Sequence, residues 1–308
     1  MSQRQTLRVG TRGSLLARRQ TETVVESLRQ LHPGLDVTLE IIQTTGDRRR
    51  DVPFTEVGTK GMFVKEIEQA LLDGRVDVGV HSLKDMPAEL PAGLELACVP
   101  AREDPRDALL ARGDATLDAL PPDSVVGTGS LRRQAQLRAY RPELRFTSLR
   151  GNLDSRLAKL DAGEYDAIVL ACAGLDRLGL SERISQRIET EVCVPAAGQG
   201  ALALEIRAAD GATRDLLLPL NDADTADAVA AERAFLAELQ GGCTVPAGAF
   251  ARVAGAEIRL RAVIASVDGR QVVREAVQGT REEAVLVGAR VARCLLDRGG
   301  RAILQGKE

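Results

Sequence analysis

One strand-to-helix turn is written twice in this chain. Val9-Gly10-Thr11-Arg12-Gly13-Ser14-Leu15 is echoed by Val126-Gly127-Thr128-Gly129-Ser130-Leu131. In each copy a short apolar run ends in glycine and hydroxyl residues, and a helix-compatible segment opens behind a serine suited to cap it. A motif that restarts in this way predicts two similar α/β lobes facing a cleft.

The segments around the echo agree. Leu7–Gly10 reads as a strand, and 15–31 as a helix with Val24, Val25, Leu28 and Leu31 on its apolar positions, stopped by His32-Pro33-Gly34. Residues 37–42 alternate as a strand. Residues 46–60 are polar and contain glycine, as in a mobile loop. A helix over 62–72 and strands over 76–80 and 94–99 complete a βαβα pattern with a mostly parallel sheet. Pro100 to Pro105 reads as a linker. The theme then repeats with strands near 125–126, 144–149 and 167–171 and helices over 130–140 and 152–162. Pro195 to Gly200 is a second break, and 201–206 reads as one more strand. The last third differs. A helix from Asp224 aligns Ala228, Ala231, Phe235 and Leu239. Ile258, Leu260, Ala262 and Ile264 alternate with charged residues, as in a sheet covered on one side, and Asp268-Gly269 signals a hairpin. An amphipathic helix over 281–296 closes a small α+β domain.

Composition narrows the function. The 308 residues carry a net charge of −3 and only 2% aromatics with no Trp, which disfavours a nucleic-acid coat or a base-stacking platform. No apolar run approaches the roughly 18 residues of a membrane span. The N-terminus has no secretory apolar region, so a cytoplasmic protein is expected. Five cysteines without C-x-x-C spacing and only two histidines predict neither a disulfide framework nor a Cys/His metal site. Only five of the 41 basic residues are lysine. A GC-rich genome produces that bias, and so does a need for the flat guanidinium fork that matches carboxylates and phosphates.

The candidate chemistry collects at strand ends. Each echo turn exposes backbone N–H groups at a positive helix terminus, and an anion can sit there, although a capped helix needs no ligand. Arg132 and Arg133 fall in a first helical turn, where a cation opposes the dipole unless an anion compensates it. Arg12, Arg150, Arg156 and Arg177 occupy similar places, beyond the carboxyl ends of predicted strands, where open α/β sheets bind ligands. Their number suits a polyanion; solvated surface charge is the plainer reading. His81-Ser82-Leu83-Lys84-Asp85-Met86-Pro87 follows a buried strand, and in a turn Lys84 and Asp85 can both reach a cleft, the acid moving a proton or facing a cation. His81 itself reads as structural. Cys98, Cys172, Cys193 and Cys294 fall on apolar positions. Cys243 sits in the loop Gly241-Gly242-Cys243-Thr244, where it is either a structural thiol or an attachment point.

Nine stretches in order along the chain resemble the porphobilinogen deaminase (hydroxymethylbilane synthase) family. They are residues 10–14, 44–47, 60–63, 81–87, 127–133, 149–152, 173–179, 195–200 and 241–243. The resemblance implies a fold class of α/β with two type-II periplasmic-binding-protein-like lobes with mixed sheets, plus a small α+β C-terminal domain with a three-stranded antiparallel sheet. It implies domains at 1–100 plus 200–218, at 105–194 and at 222–308. It implies a transferase that joins four porphobilinogen molecules head to tail, releasing ammonia, on a dipyrromethane cofactor built from substrate, without a metal. By motif match, Asp85 is the catalytic carboxylate and Cys243 the covalent cofactor anchor. Lys84, Ser82, Thr128, Ser130, Arg132, Arg133 and Gly151 are implied at the cofactor, and Arg12, Ser14, Arg150, Arg156, Arg177 and Gln199 at the substrate. A monomer that passes its product to uroporphyrinogen-III synthase is implied as well.

Two rivals remain at this level. A solute-binding module explains the anion-binding turns but not a cysteine in a glycine-rich loop. An arginine-rich nucleic-acid binder conflicts with the charge and the aromatic content.

Overall fold

Short apolar runs separated by capped helices build three sheets in the computed structural model, which describes residues 6–48, 61, 63–239 and 245–306. Lys60, Met62, most of the 46–60 segment and the Gly241–Thr244 loop with Cys243 lie outside the described residues. The strands are β1 (Thr6–Arg12), β2 (Asp36–Ile42), β3 (Val78–Ser82), β4 (Leu94–Cys98), β5 (Asp107–Ala111), β6 (Val125–Gly127), β7 (Arg145–Thr147), β8 (Ala167–Ala171), β9 (Gln186–Ile188), β10 (Leu202–Arg207), β11 (Ala247–Ala254), β12 (Glu257–Ala265) and β13 (Val272–Thr280). The helices are α1 (Leu15–Leu31), α2 (Thr45–Arg48), α3 (Lys65–Leu72), α4 (Leu131–Tyr140), α5 (Leu153–Asp161), α6 (Cys172–Arg177), α7 (Gly211–Leu217), α8 (Ala223–Glu238), α9 (Ala284–Leu295) and α10 (Arg301–Leu304).

The chain divides into two compact units. One comprises Met1–Glu103 with Ala201–Ala226, the other Asp104–Gly200 with Asp227–Glu308. The first holds a sheet of order β2-β1-β3-β10-β4, and the second holds one of order β7-β6-β8-β5-β9. These are the same arrangement. Three parallel strands are followed by one that runs against both of its neighbours. The four strands drawn from the first hundred residues run the same way, so the expected mostly parallel sheet is present. β10 returns from late in the sequence and inserts antiparallel between β3 and β4, which no local pattern announces.

Helix α1 forms because Ser14 accepts a hydrogen bond from the Ala17 N–H, while Val24, Val25 and Leu28 face the sheet. Burying each such side chain contributes about 1.5–3 kcal/mol. Ser130 and Asn152 cap α4 and α5 in the same way. Helix α3 starts at Lys65, later than its sequence pattern suggests.

The second unit also holds the antiparallel sheet β11-β12-β13. Its core is the apolar face of β12 packed with Phe235, Val287, Val291 and Leu295. The sheet departs from the one-sided pattern. Val263, on the opposite face of β12, packs with Phe250 and Val194, so the far half of the strand is buried on both faces.

Candidate active site

In the first unit β1 and β3 are parallel neighbours, with Val9 opposite Val78 and Gly10 opposite Gly79, so their carboxyl ends emerge side by side. Arg12 ends one strand and Ser14 follows it; Ser82 ends the other, and Lys84 and Asp85 follow it. The Arg12 guanidinium lies over the Phe63 ring, 4.2 Å from its centroid, an aromatic platform that restricts an otherwise loose side chain. Thr11 is buried and ties the turn to α1 by donating to the Ala17 carbonyl and accepting from Thr21.

Residues Leu83–Asp85 form a single 3₁₀ turn directly after β3. Leu83 and Met86 are buried on either side of it, the Leu83 N–H donates to the Ala201 carbonyl, and the Met86 N–H closes the turn onto Leu83. Two buried apolar anchors leave Lys84 and Asp85 half-buried between them. Ser82 is held by the amide of Gln20 on α1, at 3.0 Å. Sequence reading did not single out Gln20. It lies on the buried face of α1, one turn before Val24, where a polar residue interrupts the apolar stripe, a weak signal.

The second unit repeats the plan. β6 is parallel to β7 and β8, and the carboxyl ends of all three carry candidate residues. Thr128 is buried, and its hydroxyl accepts from the Ser130 N–H at 3.3 Å. Gly129 has no alternative between them, since a Cβ there would lie 2.8 Å from the Leu149 carbonyl oxygen. Gly151 takes a φ of +107°, a left-handed conformation that opens α5, and its carbonyl accepts from Arg156 Nε at 2.9 Å. Arg150 and Arg156 are half-buried. Arg177, at the end of α6, donates to the Gly200 carbonyl at 2.7 Å.

Arg132 and Arg133 are nearly fully buried, and their partner is internal. Asp107, which opens the antiparallel strand β5, is completely buried. It accepts from Arg132 Nη1 at 2.7 Å, Arg133 Nε at 2.8 Å and Gln199 Nε2 at 2.9 Å. Arg132 Nη1 also reaches the Val194 carbonyl, and Arg133 Nη1 the Val169 carbonyl. Burial alone would raise the Asp107 carboxyl, but the Arg132 and Arg133 charges override it and hold the group well below the usual carboxylate range. Asp107 is therefore the anion that the dipole conflict at α4 calls for. Sequence reading missed it. A charged residue heading the apolar run Ala108-Leu109-Leu110 was the available signal. Two guanidiniums and one carboxylate leave the buried network with a surplus positive charge.

Cys193 belongs to the same network, its thiol donating to Asp107 at 3.3 Å, and burial pushes that thiol up to about 12. A valine-flanked core cysteine is thus also a polar contact. Cys98 and Cys172 are buried as expected, and Cys294 is half-buried. Among the described residues no group of three His, Cys, Asp or Glu side chains could hold a metal ion. No helix of the described residues is long and apolar enough to cross a membrane.

The family models and the curated relatives agree on one family. Residues 7–215 match the family described as "Porphobilinogen deaminase, dipyromethane cofactor binding domain", and residues 226–297 match "Porphobilinogen deaminase, C-terminal domain". A porphobilinogen deaminase of Roseiflexus sp. is 52% identical over 303 residues, covering 98% of this chain and 100% of the relative. One of Syntrophotalea carbinolica is 51% identical over 298 residues, covering 97% and 95%. Among solved structures, the periplasmic VFT2 domain of Bordetella pertussis BvgS is 17% identical, covers 69% of this chain and 85% of that one, and has a TM-score of 0.40.

Proposed function

The chain belongs to the porphobilinogen deaminase family, and from that premise we propose that Asp85 is its catalytic carboxylate and Cys243 the anchor of its cofactor. The family reaction is a transferase reaction, the stepwise head-to-tail condensation of four porphobilinogen molecules with release of ammonia and finally of hydroxymethylbilane, in tetrapyrrole biosynthesis. The family cofactor is dipyrromethane.

The observation that carries the residue assignment is the turn after β3. It presents one carboxylate and one ammonium from a backbone pinned on both sides by buried Leu83 and Met86. Loss of ammonia from porphobilinogen leaves positive charge conjugated to a pyrrole ring. A fixed carboxylate at Asp85 stabilises that charge, accepts hydrogen bonds from pyrrole N–H groups, and takes up the proton released when the new carbon–carbon bond forms. Lys84, with the hydroxyls of Ser82 and Ser14, supplies donors on the same side of the first sheet.

The donor set of the second unit fits a group bearing several carboxylates. Arg150, Arg156 and Arg177 stand at the strand ends with Thr128, Ser130 and Gly151, and the Asp107 network beside them holds unneutralised positive charge. Dipyrromethane, when bound, supplies the pyrrole carbon on which the product is extended. Arg12, Ser14, Arg150, Arg156 and Arg177 are assigned to substrate carboxylates, while Gln199, expected there from the sequence, is buried with its amide on Asp107 and the Pro105 carbonyl and is assigned to holding that network. Ser82, Lys84, Thr128, Ser130 and Gly151 are assigned to the cofactor, with Arg132 and Arg133 contributing mainly charge, because both side chains are buried and most of their nitrogens are engaged by Asp107, Val194, Val169 and Gln199. We further assign three domains, at 1–100 plus 200–218, 105–194 and 222–308, each with its own sheet. A cytoplasmic monomer that hands its product to uroporphyrinogen-III synthase completes the reading; the lack of a membrane-crossing helix among the described residues is in keeping with it.

Intact-mass measurement of the purified chain tests the anchor. The wild type should carry an adduct on Cys243, and Cys243→Ser should show the bare polypeptide mass. Asp85→Ala should retain the wild-type circular dichroism and lose turnover by at least about 10²-fold. Wild-type kcat in that variant would sink the assignment of the acid.

A further inference from the structure

The first unit buries three titratable side chains that the reaction as described leaves unused. His81 lies near the carboxyl end of β3, Glu205 on the antiparallel neighbour β10, and Glu68 on α3, which packs on both strands. Their relative exposures are 5%, 0% and 6%. His81 Nε2 stands 3.0 Å from Glu205 Oε2.

The strand register explains the approach. Glu205 pairs with Gly79 and Ala203 with His81. Gly79 and His81 are two residues apart and share a face of the sheet. The imidazole lies back over Gly79, where a Cβ would come within 2.8 Å of its Nε2 and of Ile67 Cγ2. The glycine in Val78-Gly79-Val80 is thus the space that lets the ring reach Glu205.

The contact is close but poorly aligned. Among the described residues, His81 Nε2, both Glu205 carboxylate oxygens and Glu68 Oε1 have no hydrogen-bond partner. Two buried carboxylates stand beside one imidazole, and of the three side chains it is the Glu68 carboxyl whose protonation burial favours. Burial pushes the Glu68 carboxyl up to about 6, the Glu205 charge adds to that, and His81 and Lys65 oppose it.

The neighbouring charges do not replace this balance. α3 packs on β1, β3, β4 and β10. From those elements Arg8 and Arg207 pair with Asp77, Glu95 pairs with Arg214, and Arg12 lies over Phe63. On α3 itself Glu66 accepts from Thr45, and Lys65 acts on Glu68.

We propose that His81, Glu205 and Glu68 form a proton-responsive cluster that positions the Ser82–Asp85 turn for the condensation reaction. With Glu68 ionised, two carboxylates act on the imidazole and fix the end of β3. Protonation of Glu68 removes one of them. The chain runs without a break from His81 through Ser82 to Asp85, and the Leu83 N–H is tied to the residue that precedes β10. A change in the His81–Glu205 contact therefore reaches the turn through both strands. Glu68 and His81 are positioning residues in this account, which rests on the assignment of Asp85 as the catalytic carboxylate.

The test is the pH dependence of kcat and KM for the cofactor-loaded enzyme, wild type against Glu68→Gln, from pH 5 to 8.5. Glutamine copies the shape of the protonated acid. The wild type should lose kcat as pH falls through about 6 with KM held. Glu68→Gln should show no such inflection, and at pH 8 a kcat lower by several-fold to about tenfold, the scale of a small misplacement of a reacting group. An inflection that survives in Glu68→Gln, or kcat and KM deteriorating together, would overturn the proposal. Carbon-13 NMR of wild-type enzyme labelled at the glutamate carboxyls gives a reading that does not depend on the variant folding. One buried carboxyl should titrate near 6, and its absence equally overturns the proposal. If Asp85→Ala kept its turnover while the cluster titrated as described, the acid assignment would fall and the cluster would stand.

Discussion

The two five-stranded sheets have the same strand order, and each buries one carboxylate on its antiparallel strand, yet the two carboxylates behave oppositely. Asp107 on β5 is met by two guanidiniums, an amide and a thiol. Glu205 on β10 is met by an imidazole and by a second acid, with no aligned donor among the described residues. The first acid is locked in its charged form, and the second stands beside Glu68, whose carboxyl burial pushes up to about 6. Each antiparallel strand carries a buried acid, opposite the end of β8 in one sheet and near the start of β3 in the other; the partners that the neighbouring elements contribute decide whether it is a fixed hub or a responsive one.

Removing the hub should produce the largest effect. Asp107→Ala leaves two guanidiniums buried without their counter-ion, and a loss of about 3–5 kcal/mol in denaturant unfolding is expected. A loss below about 1 kcal/mol would show that the arginines find other partners, and the contrast between the sheets would be weaker than drawn. The pH sense follows from the shift. The Asp107 carboxyl is held below its ordinary value of 3.8, so its contribution is complete above that value and is lost as pH falls further. The gap between wild type and variant should therefore close under acid conditions.

The responsive cluster should show the opposite sense and a smaller effect. The Glu68 carboxyl is raised from 4.5 to about 6, so its contribution to stability is present below 4.5 and lost as pH rises through about 6. Glu68→Gln should gain on the wild type over that window by about 1–2 kcal/mol. Thermal melts at pH 4.5 and 7.5 read the difference. A variant that gains nothing at the higher pH would remove the distinction between the two acids.

The smallest effect belongs to a carboxylate–guanidinium pair of the same chemistry in a different solvent. Arg145 and Asp123 form an ion pair 3.1 Å apart, with side chains 66% and 75% exposed. Arg145→Ala should leave the melting temperature unchanged within error, because water already solvates both charges. A measurable drop would mean that pairing itself, rather than burial, sets the strength of the Asp107 hub.

Much of this molecule can be read along the chain. The capped helices at Ser14, Ser130 and Asn152, the strand 167–171 and the hairpin at Asp268-Gly269 are encoded within a few residues, since a cap, an apolar period or a turn is a local event. The strand β5 and the antiparallel insertion of β10 are not, since each depends on partners from distant parts of the sequence. The site divides the same way. Lys84 and Asp85 stand out because a charged pair follows a buried strand and precedes a proline. Asp107 and Gln20 do not, because an isolated polar residue carries no mark of what it will face.

Amino-acid order alone settles where chemistry-bearing residues sit relative to strand ends, and through nine motifs it identifies the family. Tertiary structure alone decides which charges are consumed internally and which remain for a ligand. Arg132 and Arg133 look as available as Arg150 until the fold seals them around Asp107, and His81 looks inert until Glu205 arrives from the far end of the chain. Spacing is a property of the covalent chain, whereas the energy of a charge depends on the distance and burial of its neighbours, and those exist only once the chain has folded.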